Sequence, residues 1–252
     1  MLAKERLAYI IQRLQVRPSI SVQDLSKEMN VSISTVQRDL KKLEAEGKIE
    51  RARGGAVSNE IVETLSKESD VAVSEKVHIH QEEKETIAKT ASQLIQEGEC
   101  IFLDSGTTIA HLVPYIYAKN ITIFTNSMYV HRKLIGCKGD VYLLGGKYSN
   151  KLDMTLGAPT LTQMESLRFD RAFLSASGLD IKSKEIYAVD DEIAIIKKVA
   201  IKRSKHAYLL VDHSKFKINA VHIYAKLSEL DAIYTDELPE NGKKVKNIIV
   251  CE

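Results

Sequence analysis

The chain has 252 residues, 44% hydrophobic and 28% charged, which fits a folded soluble protein with a sizeable core and excludes a disordered or fibrous chain. The formal net charge of +2 hides an asymmetry, because residues 1–56 hold 11 Lys or Arg against 7 Asp or Glu, so the positive excess lies at the N-terminal end. Cys100, Cys137 and Cys251 form no C-x-x-C pair and no apolar run approaches a membrane span, so the reading expects a cytoplasmic protein with no disulfide scaffold, metal, cofactor or membrane contact.

The N-terminus, MLAKERLAYI, is too charged for a signal peptide and reads as a helix, with Leu7, Ile10, Ile11 and Leu14 on one face and Pro18 ending the segment. Ser21 stands where an N-cap belongs, with Asp24 three residues on, and Val22, Leu25 and Met29 recur at helical spacing. Asn30-Val31-Ser32 breaks that run. Ser32 is placed to cap a further helix, in which Ile33, Val36, Leu40 and Leu43 form one apolar stripe.

At about 100° per residue, Ser34, Arg38 and Lys41 lie opposite that stripe, flanked by Thr35, Gln37 and Lys42. These side chains donate to phosphates and read base edges in a major groove, and no carboxylate sits at the centre of the face. Gly47 is placed to end the helix in a left-handed cap. Lys48 to Arg53 followed by Gly54-Gly55 predicts a short hairpin, a wing that carries Arg51 and Arg53. Helix, turn, basic-faced helix and wing in this order describe a winged helix-turn-helix over residues 1–57. Its expected contacts with operator DNA are Ser32, Ser34, Thr35, Gln37, Arg38, Lys41, Lys42, Arg51 and Arg53.

The stretch VSISTVQRDLKKLEAEGKIERARGGA resembles the N-terminal signature of the DeoR family of bacterial transcriptional repressors. The matching residues are Val31-Ser32, Thr35, Arg38-Asp39-Leu40, Leu43-Glu44, Gly47, Arg51 and Gly54-Gly55-Ala56. The chain departs from that pattern at Gln37, where the family has a first Arg, and Gln and Arg prefer different bases.

Residues 58–80 are weakly patterned and rich in Ser, Glu and Lys; they read as a linker, with a helical stretch over residues 61–67. His78-x-His80 has no evident third ligand for a metal. From residue 81 the pattern becomes alternating helix and strand. Ile87, Ala88, Ala91, Leu94 and Ile95 mark a helix ended by Gly98, and Ile109 to Tyr117 a second one broken at Pro114. Short apolar strands are predicted at residues 100–103, 121–124, 141–144, 172–174, 208–211 and 232–234, with a long helix around 193–201. This is an α/β sensor domain over residues 81–252 with a mostly parallel sheet covered on both faces.

Several predicted strands end in small or acidic residues: Asp104-Ser105-Gly106, Thr125-Asn126-Ser127, Gly145-Gly146, Ser175-Ala176-Ser177-Gly178 and Asp212. Ligands of open α/β sheets bind at the carboxyl ends of strands, so these segments are expected to converge on one pocket. Asp104-Ser105-Gly106-Thr107-Thr108 offers hydroxyls at an expected helix N-terminus, which favours an anion, although the spacing of a Walker loop is absent. From residues alone, a tight strand-to-helix turn explains this segment equally well.

Glu83-Lys84, Ile87-Ala88, FLDSGTT, TNS, LLGG, FLSASGLD and VDHSKF resemble the C-terminal sensor domain of the same family. The resemblance implies a fold like ribose-5-phosphate isomerase and a phosphorylated sugar as effector. Carried onto this chain, it implies a phosphate loop at Ser105, Gly106, Thr107 and Thr108, flanked by Thr125, Asn126, Ser127, Gly145 and Gly146. Asp104 would meet sugar hydroxyls, Asp212 would line the pocket, and Lys84, Lys197 and Lys215 would supply cations for the phosphate or the pocket rim. Ile181 to Glu185 and Ile193 depart from the family pattern, which bears on the choice of sugar. The segments RFDRAFLSASGLD and LLVDHSKF lean toward regulators of lactose or fructose phosphotransferase systems.

Two functions fit these features. One is a metabolite-sensing repressor, acting as a homodimer or homotetramer, with operator DNA and a phosphorylated sugar as partners. The other is a sugar-phosphate isomerase carrying a DNA-binding domain, with Asp104 or Asp212 as base and Lys215 beside it. No spacing demonstrates the positioned, tuned carboxylate that general base catalysis needs, and the repressor is the reading adopted.

Overall fold

A computed structural model describes residues 3–16, 19–45, 49–52, 55–58, 79–239, 242 and 245–252. Pro18, Gly47, Arg53, Gly54, the expected helical stretch over 61–67, all of the expected linker between 59 and 78, and therefore His78, lie outside the described residues. The chain divides into two compact units, residues 1–67 and 68–252.

The first unit runs α1 (Ala3–Val16), β1 (Ser19–Ser21), α2 (Val22–Met29), α3 (Ile33–Ala45), β2 (Ile49–Ala52) and β3 (Gly55–Ser58). Ser21 caps α2 as expected, its Oγ accepting from the Asp24 amide at 3.0 Å. Asn30 ends that helix in the left-handed region at φ 52°, which Asn tolerates better than most residues. Two residues later α3 begins, so the turn is tight. Ile10, Leu14, Ile20, Val22, Leu25, Met29, Val36, Leu40, Leu43 and Ile49 form one buried cluster, each large side chain contributing roughly 1.5–3 kcal/mol.

Three details of this unit differ from the sequence reading. Residues 19–21 form a strand, and the wing is a three-stranded antiparallel sheet in the order β1-β3-β2. Gly55 is paired with Ala52 in β3 and so belongs to the strand rather than to the turn. Ile33, assigned to the apolar stripe, is 48% exposed. It is the first residue of α3, and a helical side chain leans toward the N-terminus, so its side chain points out past the helix end.

The second unit begins with α4 (Gln81–Ser92), β4 (Cys100–Leu103), α5 (Thr107–Ala110), α6 (Val113–Ile116), β5 (Thr122–Thr125), α7 (Met128–Lys133) and β6 (Asp140–Leu143). It continues through β7 (Lys147–Ser149), β8 (Met154–Leu156), α8 (Ala158–Glu165), β9 (Phe169–Leu174), β10 (Gly178–Asp180), β11 (Glu185–Ala188), α9 (Asp191–Arg203) and β12 (Ser204–Leu210). It closes with β13 (His222–Lys226), β14 (Ala232–Thr235) and β15 (Ile248–Val250). The helical stretch expected over Ile109 to Tyr117 is two short helices, with Pro114 in the first turn of α6, where its missing N–H costs nothing.

Seven strands form a parallel sheet in the order β15-β14-β12-β9-β4-β5-β6. Side chains alternate across it. Ile101, Leu103, Phe173 and Leu210 pack with Ile87, Ala88 and Ala91 of α4. Phe102, Ala172, Leu174 and Leu209 pack with Ile193, Ile196 and Ala200 of α9. Both faces are therefore covered, the condition under which an all-parallel sheet is stable. The hairpin β7-β8 and the antiparallel sheet β10-β11-β13 were not signalled by the sequence. From β4 the chain winds outward through β5 and β6, then returns to place β9 on the other side of β4. The topological switch point lies between β4 and β9, and ligands of open α/β sheets bind at the carboxyl ends of strands at such a point. Among the described residues, no helix is long and apolar enough to cross a membrane.

Candidate functional site

In α3, Val36, Leu40 and Leu43 are fully buried, while Ser34, Gln37, Arg38, Lys41 and Lys42 are exposed and Thr35 is half-buried. Ser32 caps the helix, its Oγ accepting from the Thr35 amide at 3.2 Å and lying 2.9 Å from the Ser34 hydroxyl and 2.8 Å from that of Thr35. The exposed face thus presents the hydroxyl, amide, guanidinium and ammonium groups expected of it. Arg51 lies in β2, and Arg53 falls outside the described residues.

The core side of α3 holds a residue to which the sequence reading gave no role. Asp39 is 6% exposed and is gripped by Arg6 of α1, Nε to Oδ2 at 2.6 Å and Nη2 to Oδ1 at 3.2 Å. This two-pronged bond fixes the rotation of α3 about its axis, and therefore which side chains face outward. Arg13 and Tyr9 of α1 bind Glu28 in the same way, which ties α1 to α2.

In the second unit the geometry centres on Asp104, directly after β4, and Ser175, directly after β9, at the switch point. Asp104 is 0% exposed. Its Oδ2 accepts from the Ser175 amide at 2.9 Å, from the Ser175 hydroxyl at 2.6 Å and from Lys197 Nζ. Lys197 reaches in from α9 and also donates to Ser175 O at 2.8 Å and Ser175 Oγ at 3.1 Å, with its ammonium 5.5 Å from the centre of the Tyr224 ring. Tyr224 of β13 donates its hydroxyl to Ser175 O at 2.9 Å. Burial works to raise the Asp104 carboxyl, but the Lys197 charge and the bonds from Lys197 and Ser175 outweigh it and hold the group below the usual carboxylate range. Burial pushes the Tyr224 phenol well above its usual range.

Several expected site residues are placed otherwise than their roles required. Lys197 was to supply a cation for the phosphate or the pocket rim, but an ammonium has three hydrogens, and Asp104 and Ser175 already accept them. Thr107 and Thr108 open a helix as expected, but α5 is four residues long, too short for much of a dipole. Gly106, placed in the implied phosphate loop, has φ −66° and makes room for Ser175, whose Cβ would lie 2.3 Å from any Cβ added there.

Thr125, Asn126 and Ser127 are wholly buried. Thr125 Oγ1 accepts from the Ser127 amide at 3.1 Å, and Ser127 Oγ accepts from the Val130 amide at 3.2 Å, capping α7. Asn126 donates from Nδ2 to Thr155 O at 2.9 Å. Gly145 exchanges bonds with Gln163 and accepts from Thr160 at 2.8 Å, and a Cβ on Gly146 would fall 2.1 Å from Thr160 Oγ1, so this pair seats α8. Asp212 is buried and caps the 3-10 helix His213–Lys217, accepting from the Ser214 amide at 3.0 Å. Ser105, Gly106 and Thr107 are half-buried, as is Lys215, whereas Lys84 is 4% exposed in the first turn of α4.

One feature concerns ligands directly. Among the described residues, Asp104 Oδ1 and Asn126 Oδ1 are the buried side-chain oxygens that meet no donor. They follow Leu103 and Thr125, which are register partners on the neighbouring strands β4 and β5. Both unsatisfied acceptors therefore belong to residues at the carboxyl ends of adjacent strands, next to the switch point. Ser175 was in a segment marked as a strand end, so the sequence held a signal for it; Tyr224 sits on a strand without one.

The chain matches the DeoR-like helix-turn-helix domain over residues 6–62 and the DeoR C terminal sensor domain over residues 79–237. It is 33% identical over 252 residues to the HTH-type transcriptional regulator FruR of Bacillus subtilis, covering 99% of this chain and 98% of that one. It is 34% identical over 249 residues to a lactose phosphotransferase system repressor of Staphylococcus epidermidis, covering 97% of each. Among solved structures, ribose 5-phosphate isomerase A of Methanocaldococcus jannaschii superposes on 54% of this chain and 55% of its own, with a TM-score of 0.40 and 16% identity. The relatives of matching length are transcriptional regulators, and the basic face of α3 stands on a winged helix-turn-helix. The chain belongs to the DeoR family of DNA-binding transcriptional regulators.

Proposed function

We propose that this regulator represses a carbohydrate-utilisation operon and that a phosphorylated sugar, bound at the crevice between β4, β5 and β9, releases it from its operator. In this reading residues 1–57 hold the operator through α3 and the wing, residues 58–80 link, and residues 81–252 sense the sugar. The family relation and the repressor name of the staphylococcal relative support the repressor half. The effector half rests on the pair of unsatisfied buried acceptors, Asp104 Oδ1 and Asn126 Oδ1. A buried acceptor without a donor costs about 1–3 kcal/mol, and a sugar that inserts two hydroxyls recovers it at both atoms. Ser105, Thr107 and Lys84 remain the candidates for the phosphate end, with Gly106 and Thr108 shaping the loop. Asp212 and Lys215, in the loop that leaves β12, are the candidates on that side of the site. The sugar can weaken operator binding only by its differential affinity for two arrangements of the chain. A coupling of about 1–3 kcal/mol corresponds to roughly 5- to 150-fold, and operator DNA must weaken sugar binding by the same factor.

A thermal-shift panel of glucose 6-phosphate, fructose 1-phosphate, fructose 6-phosphate and galactose 6-phosphate tests this, paired with operator binding by fluorescence anisotropy. At about 100 times its Kd, a ligand adds about 2.7 kcal/mol, a rise of roughly 5–10 °C for a domain of this size. The compound that raises the melting temperature should be the one that releases operator. A compound that raises it with operator affinity unchanged would defeat the coupling, and no response to any of the four would remove this sugar class from the site.

A further inference from the structure

Away from the crevice floor, two imidazoles pack together where the sensor domain begins. His80 is the residue before α4, and it holds left-handed backbone angles, φ 52° and ψ 49°. That conformation is uncommon outside glycine and is kept only where surroundings impose it. The His80 carbonyl accepts from the Lys84 amide at 3.1 Å, starting the helix. Its ring meets the ring of His213 edge to face, with centroids 5.0 Å apart and planes at 73°.

His213 is itself clamped. Asp236, directly after β14, accepts from the His213 amide at 2.7 Å with Oδ1 and lies 2.5 Å from the ring Nδ1 with Oδ2. One carboxylate thus fixes both the main chain and the ring. The Asp236 bond raises the imidazole above its ordinary range, and Asp212 and Glu237 act in the same direction; Glu83 stands 3.6 Å from His80 Nδ1. His213 also follows Asp212 in the loop that leaves β12, one of the strand-end segments assigned to the effector. A single loop therefore joins the effector crevice to the residue at which α4 starts, and in sequence that residue is preceded by the segment leading back to the DNA-binding unit.

We propose that His213, clamped by Asp236, is a positioning residue that holds His80 and the start of α4 against the strand-end loop, and that effector occupancy is passed toward the DNA-binding unit through this contact. The proposal rests on the effector reading of the crevice. No other pairing of the described residues ties His80 to a strand end by its ring. A ligand that shifts the Asp212 loop must move His213 or break its clamp.

The test uses the full chain with two variants. His80→Gly removes the ring while keeping the left-handed backbone, which glycine adopts freely. His213→Ala removes the clamped ring. Both should bind operator as the parent does and keep the thermal shift with whichever of the four sugar phosphates gives one. Operator release by that compound should fall from the range of about 5- to 150-fold to below about twofold. Parental release in both variants would overturn the proposal. A second arm needs no sugar. Amide hydrogen exchange at residues 80–86 should change when the parent binds operator, and that change should be absent in His213→Ala. If operator leaves these amides unchanged in the parent, the proposal fails even if the crevice binds sugar. If the operator-linked change is present and His213-dependent but no sugar phosphate acts, the contact stands and the effector reading fails.

Discussion

Lys197 brings its ammonium into the interior, 3% exposed, and its three hydrogens meet Asp104 Oδ2 and both oxygens of Ser175. Such a pair stabilises little relative to an apolar replacement, because both charges have left water, yet removing one partner leaves the other charge uncompensated. Lys197→Met should therefore destabilise the sensor domain by about 3–5 kcal/mol, and Lys197→Met combined with Asp104→Asn should cost less than the two single changes added together. Urea unfolding measures both. A loss below about 1 kcal/mol in Lys197→Met would show that the charge is not buried as described. The pH dependence has a definite sign. The folded Asp104 carboxyl is held below its ordinary 3.8, so its contribution is complete above that value and is lost as pH falls through the lowered one. Lys197→Met should flatten this acid limb.

At the scale of elements, the proposed reading puts the DNA contacts on α3, whose two faces differ in kind. Arg38 is exposed on the reading face, while its neighbour Asp39 is bound to Arg6 behind it. Arg38→Ala should cost about 1–3 kcal/mol of operator affinity and relax the preference at one base pair without lowering the melting temperature. Asp39→Ala should lower both, because it frees Arg6 and lets the helix turn. Anisotropy titrations over single-base operator variants check this, and an unchanged profile in Arg38→Ala would take α3 out of the groove. This helix was legible because its signals are local: a cap at Ser32, buried residues at helical spacing, and a basic face opposite. The strands β4, β5, β6, β9, β12 and β14 were legible as short apolar runs bounded by turn residues. The strands β7, β8, β10, β11 and β13 were not. In the shortest of them the signal is slight: Lys147-Tyr148-Ser149 and Gly178-Leu179-Asp180 each hold one large apolar or aromatic residue between two others. The strand-end segments were legible in the sequence, but the bonds among them were not. Asp104 and Lys197 are 93 residues apart and Ser175 and Tyr224 are 49 apart, and no spacing rule reaches that far. Reading Lys197 as a cation for the phosphate or the pocket rim missed its bonds to Asp104 and Ser175, because those partners are set by topology, not by neighbours in sequence.

At the scale of the whole molecule, one reading helix is too little for selective binding. The exposed face of α3 offers Ser34, Gln37, Arg38, Lys41 and Lys42, of which only a few side chains can reach base edges at once. A mismatched base pair costs about 2 kcal/mol in the middle of its range, so three or four read positions supply about 6–8 kcal/mol, on the order of 10⁴ to 10⁶ in discrimination, against roughly 10⁶ or more competing genomic sites. Two copies on a two-fold axis double the read positions and multiply the discrimination, which closes that gap. The surplus of basic over acidic residues within residues 1–56 adds a second constraint. Phosphate contacts release counterions, so affinity should fall steeply with salt, and a dimer should show about twice the logarithmic slope of a single reading unit. The chain should therefore have a dimeric or tetrameric mass by light scattering. Hydroxyl-radical footprinting should protect two half-sites whose centres are about 10–10.5 base pairs apart, or a multiple of that spacing. A monomeric mass both free and on operator, with one protected patch, would sink the two-copy reading and would leave the wing to supply the missing discrimination.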